Sequence, residues 1–190
     1  ARRGLPNISD TPAVIERMHG AKEHGFLCEL GVYSEVELSS RFNVEIERYI
    51  KQVTLEARTL IEMVRTQVVP AAEKQLQLTG AAWSALGAMT GTRELQESLG
   101  ARGADPAAAF RRRAETLAGA LEGVLGATDR LENVMRHLEH DHDEKRHARR
   151  LADEARPLMT EARDAADQLE RLVDDDLWAL PKYREMLFIK

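Results

Sequence analysis

Four histidines lie within one strongly polar stretch of eleven residues, and their side chains could bind a transition metal. They alternate with the carboxylates of acidic neighbours from Glu139 to Glu144. Imidazole and carboxylate groups are ligands that zinc and related metals accept. The spacing, however, matches no standard metal site, and it lacks the two histidines one helical turn apart of an HExxH motif. The candidate metal ligands are His137, His140, His142 and His147. The alternative, which we favour, is a solvated hairpin tip over residues 139–147, with one continuous helix through this stretch as the other option.

Three other groups of reactive side chains have simpler structural interpretations. Arg111–Arg113 could grip phosphate, but three consecutive residues point around a helix rather than along one face. Asp174–Asp176 lacks the ligand spacing of a calcium-binding EF-hand loop. Cys28, the single cysteine, has only His24 close by in sequence, which is weak evidence for a nucleophile. These residues therefore predict a helical scaffold without a catalytic site.

The composition also favours long helices. Ala, Glu, Lys, Leu and Arg make up 97 of the 190 residues, and aromatic residues only 5%. A net charge of −5 gives no overall attraction to nucleic acid or to an anionic membrane. No apolar run approaches the roughly 20 residues that span a bilayer. One cysteine makes a reducing compartment the default expectation.

Three apolar seams with steps of three and four residues predict three long helices. The first follows a Ser34–Glu37 capping box and should run for about 35 residues before Pro70 kinks it. The second is a heptad seam with one polar break at Thr128, and the third contains Pro157, which should kink it. The first seam is Leu38, Phe42, Ile46, Tyr49, Val53, Ala57, Leu60, Val64 and Val68. The second is Phe110, Ala114, Leu117, Leu121, Val124, Thr128, Leu131, Met135 and Leu138. The third is Ala148, Leu151, Ala155, Leu158, Ala162, Ala165, Leu169 and Leu172.

Because such helices must bury their seams to be stable, we predict an all-α fold. It is an elongated antiparallel bundle of three long helices plus short helices, with an aromatic C-terminal tail. The bundle occupies residues 34–176, with a Gly-rich loop at 79–105 that carries one or two short helices. Before it, we expect a short helix from Thr11 to about His24, closed by Gly25, and an apolar loop or strand up to Tyr33.

The last residues, 177–190, are dense in large apolar side chains, which a fraying terminus would not normally carry. We therefore expect this tail to dock on the bundle or on another part of a larger protein. The expected packing residues are Trp178, Pro181, Tyr183, Leu187 and Phe188.

Several long stretches resemble type III glutamine synthetases. Residues 31–42 resemble the segment that follows the catalytic barrel in that family, and residues 67–72 resemble its "ILPA" stretch. Residues 172–188 are similar to the C-terminus of the family, and residues 5–18 resemble the helix that ends the catalytic domain. Further matching positions are Glu45, Tyr49, Ile50, Glu56 and Ala57.

The resemblance implies that the chain is a C-terminal portion of a cytoplasmic, dodecameric enzyme. Such enzymes make glutamine from glutamate, ammonia and ATP with Mg²⁺ or Mn²⁺, and their catalytic motifs lie upstream of this region. No residue here matches one of those motifs, so the resemblance implies no catalytic residue and no cofactor in this segment. Residues 1–33 would end the catalytic-domain region, and the rest would be a structural or oligomerisation module. The expected partners are the rest of the synthetase chain and neighbouring subunits.

Two alternatives remain open from the sequence alone. The chain could be a free-standing helical module for protein–protein interaction, which pairs its seams with another chain. It could instead be a helical metal-binding protein that uses the histidines of residues 137–147.

Overall fold

A computed structural model describes residues 7–19, 21–90, 106–141 and 143–187. All regular structure in these residues is helical, so the predicted all-α class is confirmed. The helices are α1 (Thr11–Met18), α2 (Ala21–Glu29), α3 (Glu35–Met63), α4 (Val69–Thr90), α5 (Pro106–Leu138), α6 (Glu144–Arg150), α7 (Arg156–Glu170) and α8 (Tyr183–Leu187). Two π-helical turns, Val64–Val68 and Leu151–Ala155, join α3 to α4 and α6 to α7. No described helix has both the length and the apolar character needed to cross a membrane.

The chain divides into two compact units, each built from separate stretches of sequence. Unit 1 comprises residues 1–60 and 130–160, and unit 2 comprises residues 61–129 and 161–190. In unit 1, α1 packs against α2 and α6, and Arg58 of α3 donates to Glu139, just after α5, at 2.7 Å. In unit 2, Arg65 of the first π-helical turn donates to Asp129 of α5 at 3.0 Å. Each unit therefore connects chain segments that are distant in sequence.

The start of α3 is fixed by the predicted capping box. The Ser34 hydroxyl oxygen accepts from the Glu37 backbone N–H at 3.2 Å, and the Glu37 carboxylate accepts from the Ser34 backbone N–H at 2.8 Å. Both groups satisfy helix-end donors that would otherwise lack an intrahelical partner. The Ser34 backbone N–H and the Ser34 hydroxyl both donate to the Glu37 carboxylate, and these contacts lower the pKa of Glu37.

The region before α3 differs from the sequence prediction. The expected helix begins at Thr11, where Asp10 accepts from the Ala13 N–H at 2.8 Å, but it ends at Met18. A second helix then runs straight through Gly25, the residue predicted to close the first, and it includes part of the predicted loop or strand. The stop comes at Gly31, whose positive φ of 69° suits glycine.

Both predicted proline kinks coincide with a π-helical turn. Pro70 and Pro157 each lie six residues after the first residue of such a turn, Val64 and Leu151 respectively. Proline lacks an N–H, and its ring clashes with the carbonyl oxygen four residues earlier. A π-helical turn is wider and gives the proline ring more room beside that carbonyl group. The Val69 and Arg156 N–H groups donate five residues back, to the carbonyl oxygens of Val64 and Leu151. The helices therefore continue through both prolines with a local rearrangement.

Helix α4 also extends further than the sequence suggested. It continues to Thr90, so residues 79–90 of the predicted Gly-rich loop are helical, and residues 91–105 lie outside the described part of the chain. Gly80 and Gly87 are isolated within this helix, where a single glycine weakens a helix without ending it.

Candidate functional site

The histidine-rich stretch runs from the end of α5 into the start of α6 in unit 1, and residues 144–147 of the predicted tip are helical. His137 is exposed, and its Nδ1 lies 2.7 Å from the Asn133 carbonyl oxygen in the same helix. His140 is exposed, His147 is half-buried, and His142 lies outside the described residues. Across the described positions, no three His, Cys, Asp or Glu side chains come together as a metal site would require. The metal-binding alternative, which includes His142, therefore stays an untested hypothesis.

An arginine–aspartate pair organises this tip. The Arg146 guanidinium donates to both oxygens of Asp141, with Nη2 at 2.6 Å from Oδ1 and Nε at 2.9 Å from Oδ2. This bidentate contact lowers the pKa of Asp141 to about 2. Asp143 caps α6 by accepting from the Arg146 backbone N–H at 3.1 Å. The charged side chains of the tip therefore form hydrogen bonds and ion pairs with one another and with the backbone of the tip.

His147 is a half-buried histidine on the α6 side of this tip. Burial lowers its pKa, because the charged imidazolium loses water contacts, and Arg150 lowers it further. The Asp141 carboxylate and a backbone contact with Asp141 act in the opposite direction and are weaker than burial. The folded chain therefore holds His147 neutral at a pH where an unfolded chain would bind a proton.

We predict that unit 1 loses stability as the pH falls below about 6.5, the ordinary histidine pKa. The unfolded state then binds a proton that the folded state resists, and the loss levels off once the pH passes the lowered folded pKa. Urea unfolding at pH 7 and pH 5 measures the effect, compared between the natural chain and His147→Gln. The exposed His140→Gln is the control. An equal pH dependence in the natural chain and in His147→Gln would contradict the prediction.

The C-terminal tail of unit 2 is organised around a buried lysine. Lys182 is 8% exposed, and its ammonium group lies 3.4 Å from the Glu170 carbonyl oxygen and 3.5 Å from that of Val173. It also pairs with the carboxylate of Asp175. Glu170 is the last residue of α7, so Lys182 places a cation where that helix leaves its carbonyl groups without intrahelical donors. We call residues 171–187 the C-terminal segment.

Two long side chains hold the C-terminal segment to α4 and α5. The buried Gln75 side chain of α4 accepts from the Asp174 backbone N–H at 2.9 Å, and its amide nitrogen lies 3.5 Å from the Thr79 hydroxyl. Arg113 of α5 donates to the Leu172 carbonyl oxygen at 2.9 Å. These contacts span 99 and 59 residues of sequence. The segment is thus tied by its backbone to both helices.

The five residues predicted to pack differ in their surroundings. Trp178 is 9% exposed, and its indole N–H has no hydrogen-bond partner among the described residues. Pro181 and Leu187 are exposed, Leu187 to 77%. The Tyr183 side chain and Phe188 lie outside the described part of the chain. The described side chains buried in this tail are therefore those of Trp178 and Lys182. Of these two, the sequence prediction included only Trp178.

The other charged clusters have structural roles here. Arg111 lies over the Trp83 ring at 5.6 Å, and Asp174 accepts from the Asp176 backbone N–H at 2.9 Å. Together with Arg113 and Asp175, these residues help to connect unit 2. No sequence period signals the contacts of Arg111 and Arg113, since each joins a surface charge to an aromatic ring or a carbonyl group far along the chain.

Unit 1 contains an open groove of about 850 Å³ between its short helices and the start of α3. Phe42 contributes to its floor, where the His19 ring meets it edge-on at 5.8 Å and the Lys145 ammonium lies 4.7 Å from its centre. Cys28 lines the same groove and is partly exposed. His19 also contacts Glu45 at 3.1 Å. The remaining lining residues are Glu16, Gly25, Glu29, Glu35, Leu38, Ser39 and Asn43.

Arg149 joins α6 to α1 beside this groove. Arg149 of α6 donates to Glu16 at 2.8 Å and to Asp10 at 3.2 Å, so one guanidinium joins α6 to the cap and body of α1. The contact spans 139 residues for Asp10. No sequence pattern indicates this contact, because Arg149 looks like an ordinary charge on a polar helix face.

Comparison with known sequences shows which proteins this chain is similar to. Residues 1–83 match the glutamine synthetase C-terminal domain family. The chain is 29% identical over 193 aligned residues to a glutamine synthetase of Bacteroides fragilis and 26% identical over 189 residues to a type-3 glutamine synthetase of Dictyostelium discoideum. A glutamine synthetase of Butyrivibrio fibrisolvens is 30% identical over 79 residues, or 40% of this chain.

The coverage of these matches is asymmetric. The first two alignments include 100% and 99% of this chain but only 25% and 24% of the relatives. The chain therefore spans about a quarter of the length of these relatives. The similarity to type III glutamine synthetases that the sequence analysis noted is confirmed, and it extends over both units.

Proposed function

We propose that this chain, related to the C-terminal region of type III glutamine synthetases, is a non-catalytic helical module of such an enzyme. The observation that carries the proposal is the match of nearly the whole chain to about one quarter of two relatives. In the complete enzyme, ATP would phosphorylate the glutamate side chain and ammonia would displace the phosphate, with Mg²⁺ or Mn²⁺ bound. In this proposal, the residues that bind ATP, glutamate and the metal ion lie in the part of the relatives outside this alignment.

The role proposed for the module is rigid packing that supports subunit assembly. Its seams would bury one another in an antiparallel bundle, and the buried seam residues Ile46, Leu131 and Leu151 support that arrangement. The C-terminal segment would complete the module by covering the end of α7, as the Lys182 contacts suggest. A module fixed in this way offers neighbouring subunits a surface of defined shape.

Capture of the native protein tests the proposal. An antibody raised against this chain should recover, from its natural source, a polypeptide of about four times the 21.3 kDa of this chain. The captured protein should form glutamine from glutamate, ammonia and ATP, and it should elute as a large oligomer. Immunodepletion with the same antibody should remove that activity from the extract.

The control is antibody that has been preabsorbed with the isolated chain, which should deplete nothing. Recovery of a polypeptide near 21 kDa without synthetase activity would overturn the proposal and favour the free-standing interaction module. A large polypeptide that lacks the activity would overturn the enzymatic part and leave only the relationship in sequence.

A further inference from the structure

Exposed apolar side chains are concentrated in the early part of unit 1. The described residues include eleven large apolar side chains that are exposed, and six of them fall between residues 18 and 44. Leu30 and Val36 are the most exposed of the six, at 72% and 78%. The six are Met18, Phe26, Leu30, Val32, Val36 and Val44. A concentration of this kind marks an interaction surface more often than single scattered residues do.

The groove of unit 1 opens in the same region, and its walls carry excess negative charge. Glu29 and Glu35 line it together with one lysine, Lys145, and the apolar Leu38 and Phe42, whereas the third lining glutamate, Glu16, is paired with Arg149. A complementary occupant therefore carries an apolar side chain for the floor and basic groups for the walls.

We infer that a segment from the larger, preceding part of the synthetase polypeptide binds in this groove, which has acidic walls and an apolar floor. The inference rests on the proposed function. About three quarters of the Bacteroides fragilis and Dictyostelium discoideum relatives lies outside their alignments, and residues 1–83 match a domain that the family places at the C-terminus. The missing polypeptide therefore joins this chain on the N-terminal side, next to α1 and α2, whose residues line the groove.

Cys28 provides a direct probe, because it lines the groove and is the single cysteine of the chain. Its thiol should react with iodoacetamide at least tenfold more slowly in the full-length enzyme than in the isolated chain. Peptide mass spectrometry follows the Cys28 peptide alone, so other cysteines of the longer enzyme do not interfere. The isolated chain should show one rate at all protein concentrations.

A pair of variants in the full-length enzyme separates docking from general burial. Val36→Lys places a cation on the exposed apolar surface, where it repels the basic groups of the occupant, and should return the Cys28 rate to within threefold of the isolated chain. Lysine in the first turn of a helix opposes the helix dipole by up to about 1 kcal/mol, so circular dichroism checks that α3 remains folded. Leu55→Lys lies on the same helix about 28 Å away and should leave the slow rate unchanged.

The outcomes are distinguishable from those of the proposed function. A full-length synthetase in which Cys28 reacts as fast as in the isolated chain would overturn the docking inference and leave the proposed function intact. Slow reaction in the isolated chain that speeds up on dilution would assign the groove to a second copy. Absence of any longer polypeptide would overturn both proposals.

Discussion

Replacing Trp178 by alanine is expected to lower the free energy of unfolding of unit 2 by about 3–5 kcal/mol, the usual cost of truncating a buried large aromatic side chain. The indole is 9% exposed, and it lies between two anchored parts of the C-terminal segment, Asp174 on one side and Lys182 on the other. Those anchors limit how far the backbone can collapse into the space that the indole leaves. Denaturant unfolding followed by far-ultraviolet circular dichroism measures the loss without relying on tryptophan fluorescence.

Two further variants identify the source of the effect. Trp178→Phe keeps most of the apolar surface and removes an indole N–H that has no described partner, so it should cost less than about 1.5 kcal/mol. Leu187→Ala removes a side chain that is 77% exposed and should change stability by less than about 0.5 kcal/mol. Equal losses in Trp178→Ala and Leu187→Ala would show that the indole is not a core residue of this chain.

The helical seams could be predicted because burial on a helix follows a simple period. In the first seam, Ile46, Tyr49, Val53 and Ala57 are buried, and no predicted seam residue is exposed in any of the three helices. Even the polar break is accommodated within the helix. Thr128 is 2% exposed and its hydroxyl donates to the Val124 carbonyl oxygen at 2.7 Å, so the buried group is satisfied locally.

The connections between helices could not be predicted in the same way. Lys182 and Arg149 are charged residues with no periodic signature, yet each joins parts of the chain that lie far apart or closes a helix end. Their partners are mostly carbonyl groups or isolated carboxylates, whose positions depend on the completed fold. Helix ends near glycine were also misjudged, since Gly25 lies inside α2, whereas Gly31 adopts the positive φ that ends it.

The candidate sites show the same division between local pattern and long-range contact. The capping box at Ser34 and the polar tip after α5 follow from neighbouring residues, and both were expected. The groove of unit 1 combines Cys28, Phe42 and Lys145, which come from three different helices. Only the folded arrangement of α2, α3 and α6 brings them together, so no motif in the sequence could indicate it.

The second large effect is expected at the centre of unit 1. Leu131→Ala should lower the free energy of unfolding of that unit by about 2–5 kcal/mol, because it removes a fully buried leucine and leaves a cavity. Leu131 is 0% exposed on α5, and Met135 and Leu138, which follow it along the same seam, are also buried. Urea unfolding monitored by circular dichroism at pH 7 measures the change, with hydrogen exchange of α5 amides reporting which unit is affected.

Leu55→Ala supplies the matched control on α3. The substitution removes the same atoms from a long helix in the same unit and changes helix propensity by the same amount, but Leu55 is 67% exposed. Its expected effect is within about 0.5 kcal/mol of zero. The difference between the two variants isolates burial in the seam from any general effect of leucine on a helix. Similar losses for both would mean that the first and second seams do not form the core of unit 1, and that Leu55 is covered in solution.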